Sequence, residues 1–435
     1  MDVFRVQNPA LLQAIVWGKN QFESTITRGF TNEAVRRSIR HNATVQYPIR
    51  DVFFNVANTH VELTDLNLLR EPNFRFTAVN SNLELLSLDV KIDVGNLQIS
   101  GKFFVNNQAL NNLLPISTTG NLQISCENVK AEGLIGMYPI EDSFLTNNYG
   151  LKYTAEKVIV KILYQNNDKE VNVELDKDRI EETIAAQLWM DLSVVLSKTL
   201  KKYLDEVIVE LSVCELLQGE EELVDSLKSH KKAISVVAND IFDKIIANAN
   251  NRINELNSAQ ISAPDINASF TRNVAAVTTT GRFEARNGWF RNLATLRRNG
   301  DVTVSLENNS IVILGTVGLN ELKIGYDQYS AKFMDVGPTG SIETTVGSNA
   351  ALFKFVIEKS EDGVSVRLAE FKITDISKIE AHVTGLGGLN WLASKISTWT
   401  AGTLRWNIAP VVEENIKRNV NDVLKNFQVD TILKK

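Results

Sequence analysis

The chain has 435 residues, 44% apolar and 23% charged, with a formal net charge of -6 and a pI near 5.5. That length exceeds what one hydrophobic core usually serves, so two domains are expected, and the acidic balance argues against nucleic acid as a partner because phosphate binding needs a basic surface. No apolar run is long enough to span a membrane, and Met1-Asp-Val-Phe-Arg-Val has no signal-peptide apolar core, which leaves a cytosolic chain or a mature secreted one.

Residues 9–30 predict a helix. Asn8 followed by Pro9 suits an N-cap and first helical position, and Leu12, Ile15, Phe22, Ile26 and Phe30 form a thin stripe that Gly18 weakens. From 44 to 175 the period changes to two. Leu88, Val90, Ile92 and Val94 alternate with polar residues, then Leu97, Ile99 and Phe103 do. Val158, Val160 and Ile162, a turn at Asn166-Asn167-Asp168, and Val171, Val173 and Leu175 read as a hairpin. Half-polar alternation means an antiparallel sheet with one apolar face. A long helix follows, with Ile184, Leu188, Leu192, Leu196, Leu200, Leu204, Val207 and Leu211 on one face. Gly219 and Glu220 to Glu222 break it and mark the expected boundary between domains 1–218 and 225–435.

The second half opens on a helix striped by Ile234, Val237, Ile241, Ile245, Ala249, Ile253 and Leu256. Strands return at Val302, Val304 and Leu306, then at Ile311 and Ile313. Phe353, Phe355 and Ile357 lead through Glu361-Asp362-Gly363 to Val364, Val366 and Leu368 as a hairpin. Residues 385–427 then predict one long helix, striped by Leu389, Leu392, Ile396 and Trp399 and, after a kink at Pro410, by Val412, Ile416, Val420, Val423 and Phe427. Three of the six tryptophans, Trp391, Trp399 and Trp406, lie in it.

Both halves therefore read helix, antiparallel strands, long helix. Val94-Gly95-Asn96-Leu97 resembles Val317-Gly318-Leu319-Asn320-Glu321-Leu322, and Thr119-Gly120-Asn121-Leu122 resembles Thr339-Gly340-Ser341-Ile342. The glycine offsets, 318 − 95 = 223 and 340 − 120 = 220, point to a diverged tandem duplication, with two unrelated domains as the alternative. Residues 131–150 have no evident counterpart in the second half, nor residues 371–383 in the first. The expected fold class is α+β: two tandem domains, each a strongly curved antiparallel sheet wrapped around long amphipathic helices.

Catalytic signatures are missing from the sequence. His41, His60, His230 and His382 show no metal-ligand spacing, and there is no Gly-X-Ser-X-Gly elbow or Walker loop. Gly385, Gly387 and Gly388 form a loop ahead of a helix without the βαβ context of a phosphate site, so they read as tight chain geometry. Asp301 with Glu307, and Glu358 with Glu361, read as solvated acids. Lys231-Lys232 and Arg297-Arg298 read as solvated clusters or as contacts for lipid head groups. Cys126 and Cys214 are two buried thiols or one disulfide in an oxidising compartment. Sequons at Asn42, Asn267 and Asn308 permit secretion. No catalytic residue, metal or cofactor is expected. What stays distinctive is apolar: sheets curled round striped helices enclose room for an elongated apolar ligand.

The arrangement resembles the tubular lipid-binding superfamily, which includes bactericidal/permeability-increasing protein and the juvenile-hormone-binding and Takeout proteins. The second half is similar to its group 7 mite allergens. The stripe Ile234 to Leu256, the segment Phe371-Lys372-Ile373 through Ala381-His382-Val383, and Gly387-Gly388-Leu389 carry the likeness, which covers most of 230–428. The first half is similar in layout only. The resemblance implies carriage of a lipid or other hydrophobic small molecule without catalysis, by a secreted, extracellular protein of arthropod type. Ile241, Ile245, Ala249, Phe353, Phe355, Leu392, Ile396 and Trp399 would form the apolar wall of the pocket. The alternative is an interaction or innate-immune recognition protein whose tube is packed shut or meets microbial lipid at a membrane surface. The ligand's identity, the number of binding domains and the oligomeric state stay open.

Overall fold

The computed structural model describes residues 4–40, 47–56, 59–107, 117–164, 177–274, 277–307, 310–320, 322–333, 336–360, 363–403 and 409–425. Helix α1 (Pro9–Arg40) starts where the sequence places it. Asn8 Oδ1 accepts the backbone N–H of Ala10 at 3.0 Å and of Leu11 at 3.4 Å, satisfying donors that a helix start leaves unpaired. Its buried face is Leu11, Ile15, Phe22 and Ile26, while Leu12 turns outward.

Strands β1 (Tyr47–Pro48), β2 (Val52–Val56), β3 (Thr59–Leu68), β4 (Arg75–Asn82), β5 (Ser87–Asn107), β6 (Ser117–Ile140), β7 (Ser143–Thr154) and β8 (Lys157–Tyr164) form one antiparallel sheet. The two phases of alternation in β5 have a cause. The pairing with β6 shifts on either side of Gly95, whose φ of 78° suits glycine, and the buried set passes from Val94 to Leu97 across this bulge. Helix α2 (Lys177–Ile208) lays Leu188, Leu192, Leu196, Leu200 and Leu204 into the same core, and the short α3 (Val213–Leu216) follows. Of the hairpin predicted across 158–175, the first strand is β8, which pairs with β6; the turn and the return strand lie outside the described residues.

A second antiparallel sheet holds β9 (Gln260–Ala263), β10 (Ile266–Val274), β11 (Val277–Arg291), β12 (Leu296–Arg298), β13 (Thr303–Glu307), β14 (Ser310–Leu319), β15 (Leu322–Phe333), β16 (Thr339–Ser360) and β17 (Gly363–Val383). The chain is thus α+β with two antiparallel sheets, each sharing a core with its own long helices. The pairing schemes correspond. β7 and β8 together run along β6, as β17 runs along β16. The β6–β7 turn is Glu141-Asp142, and Glu361-Asp362 lies between β16 and β17, 361 − 141 = 220 residues later. This corrects the expected inequality of the halves. By pairing, 131–150 matches 351–370, and 371–383 matches the end of β7 with β8. The spacing of 220 agrees with the expected offset of Gly120 and Gly340.

The expected break at Gly219 and Glu220 to Glu222 falls between α3 and the next helix. Gly219, with φ 80°, donates its N–H to the Cys214 carbonyl at 2.8 Å and ends α3. Glu221 and Glu222 then form the first turn of α4 (Glu221–Glu255), where carboxylates favour the helix dipole. Helix α4 has 35 residues, roughly 52 Å of helix. Its first turns put Leu223, Val224 and Leu227 into the first core, and the rest puts Ile234 to Ile253 into the second. One helix spans the junction.

Lys231, read from the sequence as solvated, sits at that crossing and is only 8% exposed. Burial pushes its ammonium down to about 8, with Asp301 opposing the shift. A lysine whose folded pKa lies below its usual 10.5 lowers stability while charged, so stability should rise between about pH 8 and 10.5, where the unfolded chain holds the proton that the folded one has lost. Lys231→Met should stabilise the fold by about 1–3 kcal/mol at pH 7, with the gain shrinking as pH approaches 10.5. Denaturant titrations at the two pH values check this.

The halves are docked on each other. Leu134 of β6 packs with Val312, Leu314, Leu352 and Val356 of the second sheet. Gly136 has no room for a Cβ, which would run into Thr303 of β13. Asn148 Nδ2 donates to the Asp301 carbonyl and to Thr303 Oγ1, both at 2.9 Å.

Candidate functional site

The stretch predicted as one helix over 385–427 is helical wherever it is described from Gly387 to Leu424. Gly387–Leu392 is a 3-10 turn, α5 spans Ala393–Thr403 and α6 spans Ala409–Leu424; residues 404–408 and Phe427 lie outside the described residues. Pro410 is the second residue of α6, and residues 404–408, across which the expected kink would show, lie outside the described residues. Gly385 has φ 75° and a Cβ there would run into the Thr339 carbonyl, so the glycine loop is chain geometry.

Helix α5 carries Trp399, which is 1% exposed, with its ring centroid 4.9 Å from that of Phe283. Its indole Nε1 donates to Glu62 Oε1 on β3 at 2.8 Å, so one side chain is both core and a tie between the halves. A second tie lies beside β17. Arg50 donates through one guanidinium nitrogen to Asp375 Oδ1 at 2.7 Å and through the other to the Ile376 carbonyl at 3.0 Å, with Asp191 of α2 at 3.8 Å. Burial raises the Asp375 carboxyl, but the bonds from Arg50, Ser348 and Ser377 outweigh it and hold the group below its ordinary value.

Helix α6 lies over the second sheet with Ala409, Val412, Ile416, Val420 and Leu424 inward. Among the described residues, β17 pairs only with β16, so its other edge is open to α6. Glu413 of α6 accepts the Ile373 N–H on that edge at 2.7 Å. Burial raises the Glu413 carboxyl; the bond from Ile373 acts against it. Beneath the helix is an apolar crevice of about 30 Å³. Val412 and Ile416 form its roof, Phe290, Val317, Leu322 and Phe371 part of its floor, and Asn349 and Asp375 its polar margin. Both polar residues are occupied, Asn349 by the backbone of Leu319 and Asp375 by Arg50. The opening has room for a water molecule or two, far less than a lipid chain needs.

Ile241, Ile245, Ala249, Phe353, Phe355, Leu392, Ile396 and Trp399 all fall in the second core, and each is at most 1% exposed. They pack on one another and on Phe242, whose ring lies 6.1 Å from Phe353 and 5.5 Å from Phe355, and none of them lines the crevice. The crevice-lining residues escaped sequence reading, although Val412 and Ile416 stood on the predicted stripe. The side chain of Trp391 and all of Trp406 lie outside the described residues.

The disulfide alternative is corrected, since both thiols are free. Cys126 is buried in β6 opposite Leu97 and Val158, whereas the Cys214 N–H donates to Asp142 just beyond the far end of β6. About fourteen strand residues, on the order of 45 Å of contour, separate Cys126 from that end, and a disulfide needs Cα atoms within about 7 Å. Burial pushes the Cys126 thiol up to about 11.

Three of the four acids find basic partners, Glu307 with Lys354 at 3.0 Å, Glu358 with Arg367 at 3.2 Å, and Asp301 with Arg298 at 3.8 Å, and Glu361 lies outside the described residues. Arg298 is also forked onto Asp243. His382 is exposed and His230 half-buried, burial lowering the latter's pKa; His41 and the His60 side chain lie outside the described residues. Asn267 is exposed on β10, and Asn42 and Asn308 are outside the described residues. Among the described residues no cluster of three metal-type ligands occurs, and no helix is long and apolar enough to cross a membrane.

Two sheets, each over its own helices, with an apolar crevice under the last helix of the second, define the class. The second half is group 7 allergen-like: residues 237–424 match the family model described as Group 7 allergen. No curated protein gives a significant match to the chain. Among solved structures, Takeout 1 of Epiphyas postvittana is similar at 12% identity over 40% of this chain and 82% of its own, with a TM-score of 0.29. A lipopolysaccharide binding protein is similar at 9% identity over 95% and 91%, with a TM-score of 0.22. At these scores neither adds to the fold described above.

Proposed function

We propose that the second half binds a hydrophobic small molecule, of the lipid class, in a pocket that opens from the crevice beneath α6, and that it does no chemistry on its ligand. The observation that carries this is the crevice itself, walled by apolar side chains on both helix and sheet at the open edge of β17. Burying a ligand's apolar surface there contributes roughly 25 cal/mol per Å². The superfamily resemblance and the Group 7 allergen match over 237–424 support the same reading. On it, Ile241, Ile245, Ala249, Phe353, Phe355, Leu392, Ile396 and Trp399 are the packed end of the tube, which a long ligand would enter only by displacing side chains. The domains fall at 1–218 and 225–435, arose by duplication, and share α4 as their joint. Secretion belongs to the same reading.

One observation favours a second reading, a closed interaction protein: the eight expected wall residues already fill the interior. Displacement of a fluorescent fatty acid separates the two. Val412→Trp puts an indole into the crevice and should weaken probe binding at least about tenfold, a loss near 1.4 kcal/mol, with the thermal melt kept as a control for overpacking. Probe binding unchanged by Val412→Trp in a folded variant, or no binding by the wild type, would favour the closed protein.

A further inference from the structure

We infer that Asn419 is the polar anchor of the α6 site and that the ligand presents it with a hydroxyl group, which makes the ligand class a long-chain or polycyclic alcohol. The inference rests on the reading that the crevice under α6 holds a ligand. Asn419 lies in the buried stripe of α6 and is 0% exposed. Its Nδ2 donates to Asn415 Oδ1 at 2.7 Å, and among the described residues its Oδ1 has no hydrogen-bond partner. Seven residues separate it from Val412, so it falls within about 20° of Val412 on the same helix face, about 10 Å further along the axis. Ile416, on the crevice roof, lies between the two. The face that roofs the crevice therefore carries a bare amide oxygen about one turn beyond Ile416, before Val420 and Leu424 resume the apolar stripe.

Such an atom is costly. A buried acceptor without a donor lowers stability by about 1–3 kcal/mol, and leucine would suit the stripe in its place. A residue that breaks the local pattern beside a ligand-lining face marks a site where binding outweighs stability. The chemistry selects the partner. A carbonyl-type oxygen only accepts, so its complement must donate. An alcohol O–H does so while staying neutral. An ionised carboxylate has no proton to offer and loses its hydration on burial. An ether of the same length fills the same space and donates nothing.

The test uses the full chain and compares cetyl alcohol with cetyl methyl ether as competitors of a fluorescent probe, in wild type and in Asn419→Leu. The wild type should prefer the alcohol by about 3–10-fold, the worth of one neutral hydrogen bond. Asn419→Leu should bind the ether as well as before, lose the preference and melt at or above the wild-type temperature. Equal wild-type affinities, with both compounds bound, would overturn the inference and leave the carrier reading standing. A preference surviving in Asn419→Leu would overturn it too. The first comparison needs no variant, so a misfolded Asn419→Leu does not protect the idea. Binding of neither compound overturns this inference together with the reading beneath it.

Discussion

Arg50→Ala should lower the unfolding free energy by about 2–4 kcal/mol, the range for removing one partner of a largely buried ion pair. The guanidinium is the cation for Asp375 and lies beside Asp191, whose side chain is only 5% exposed, and it also closes the Ile376 carbonyl on the open edge of β17. Arg50→Lys should recover only part, because an ammonium cannot fork onto the carboxylate and the carbonyl together. The effect has a pH signature. Asp375 is held below its usual 3.8, so its contribution is present above that value and is lost as pH falls through the lower folded pKa. Wild type should therefore lose its advantage over Arg50→Ala in acid. A denaturation midpoint within experimental error of wild type at pH 7 would contradict the assignment of this clamp.

Trp399→Ala should cost about 3–5 kcal/mol, since it empties a ring-sized volume in the second core and removes the indole donor from Glu62. Trp399→Phe separates the two parts. It keeps most of the contact with Phe283 and deletes only the donor, at about 1–2 kcal/mol. Because the bond crosses from α5 to β3, Trp399→Phe should also expose the inter-half surface, read as faster proteolysis of native protein. A cost for Trp399→Ala under about 1 kcal/mol would mean that the tryptophan is neither core nor tie.

The fold was largely legible in the sequence because its periods are clean. Asn8 announced its helix, and the change of phase at Gly95 was visible as Val94 followed by Leu97. The failures are equally local. Glu221 and Glu222 carry no stripe and read only as the end of a pattern, yet they open α4, because acids suit the first turn of a helix. The continuous run Ile311 to Leu314 held a signal that alternation alone missed: a strand apolar on both faces is covered on both, here by its own core and by Leu134 of the other half.

The site was legible only in part, for a reason of volume. Period tells which side chains face inward, not whether they fill the space they face. Phe353 and Phe355 read like a pocket wall and instead interlock with Phe242. The gap lies further along, under α6, where helix and sheet meet across the open edge of β17. Asn419 was the residue that sequence reading passed over: a lone amide inside an otherwise apolar stripe.

The most direct test of a ligand site beneath α6 is photo-crosslinking of the full chain with a long-chain alcohol that carries a diazirine near its far end, mapped by peptide mass spectrometry. The proposed site predicts adducts on Val412, Ile416 or Phe371 and the residues around them, competed away by unlabelled cetyl alcohol and lost in Val412→Trp. Adducts confined to the first half, or scattered over exposed surface and indifferent to competitor, would contradict it.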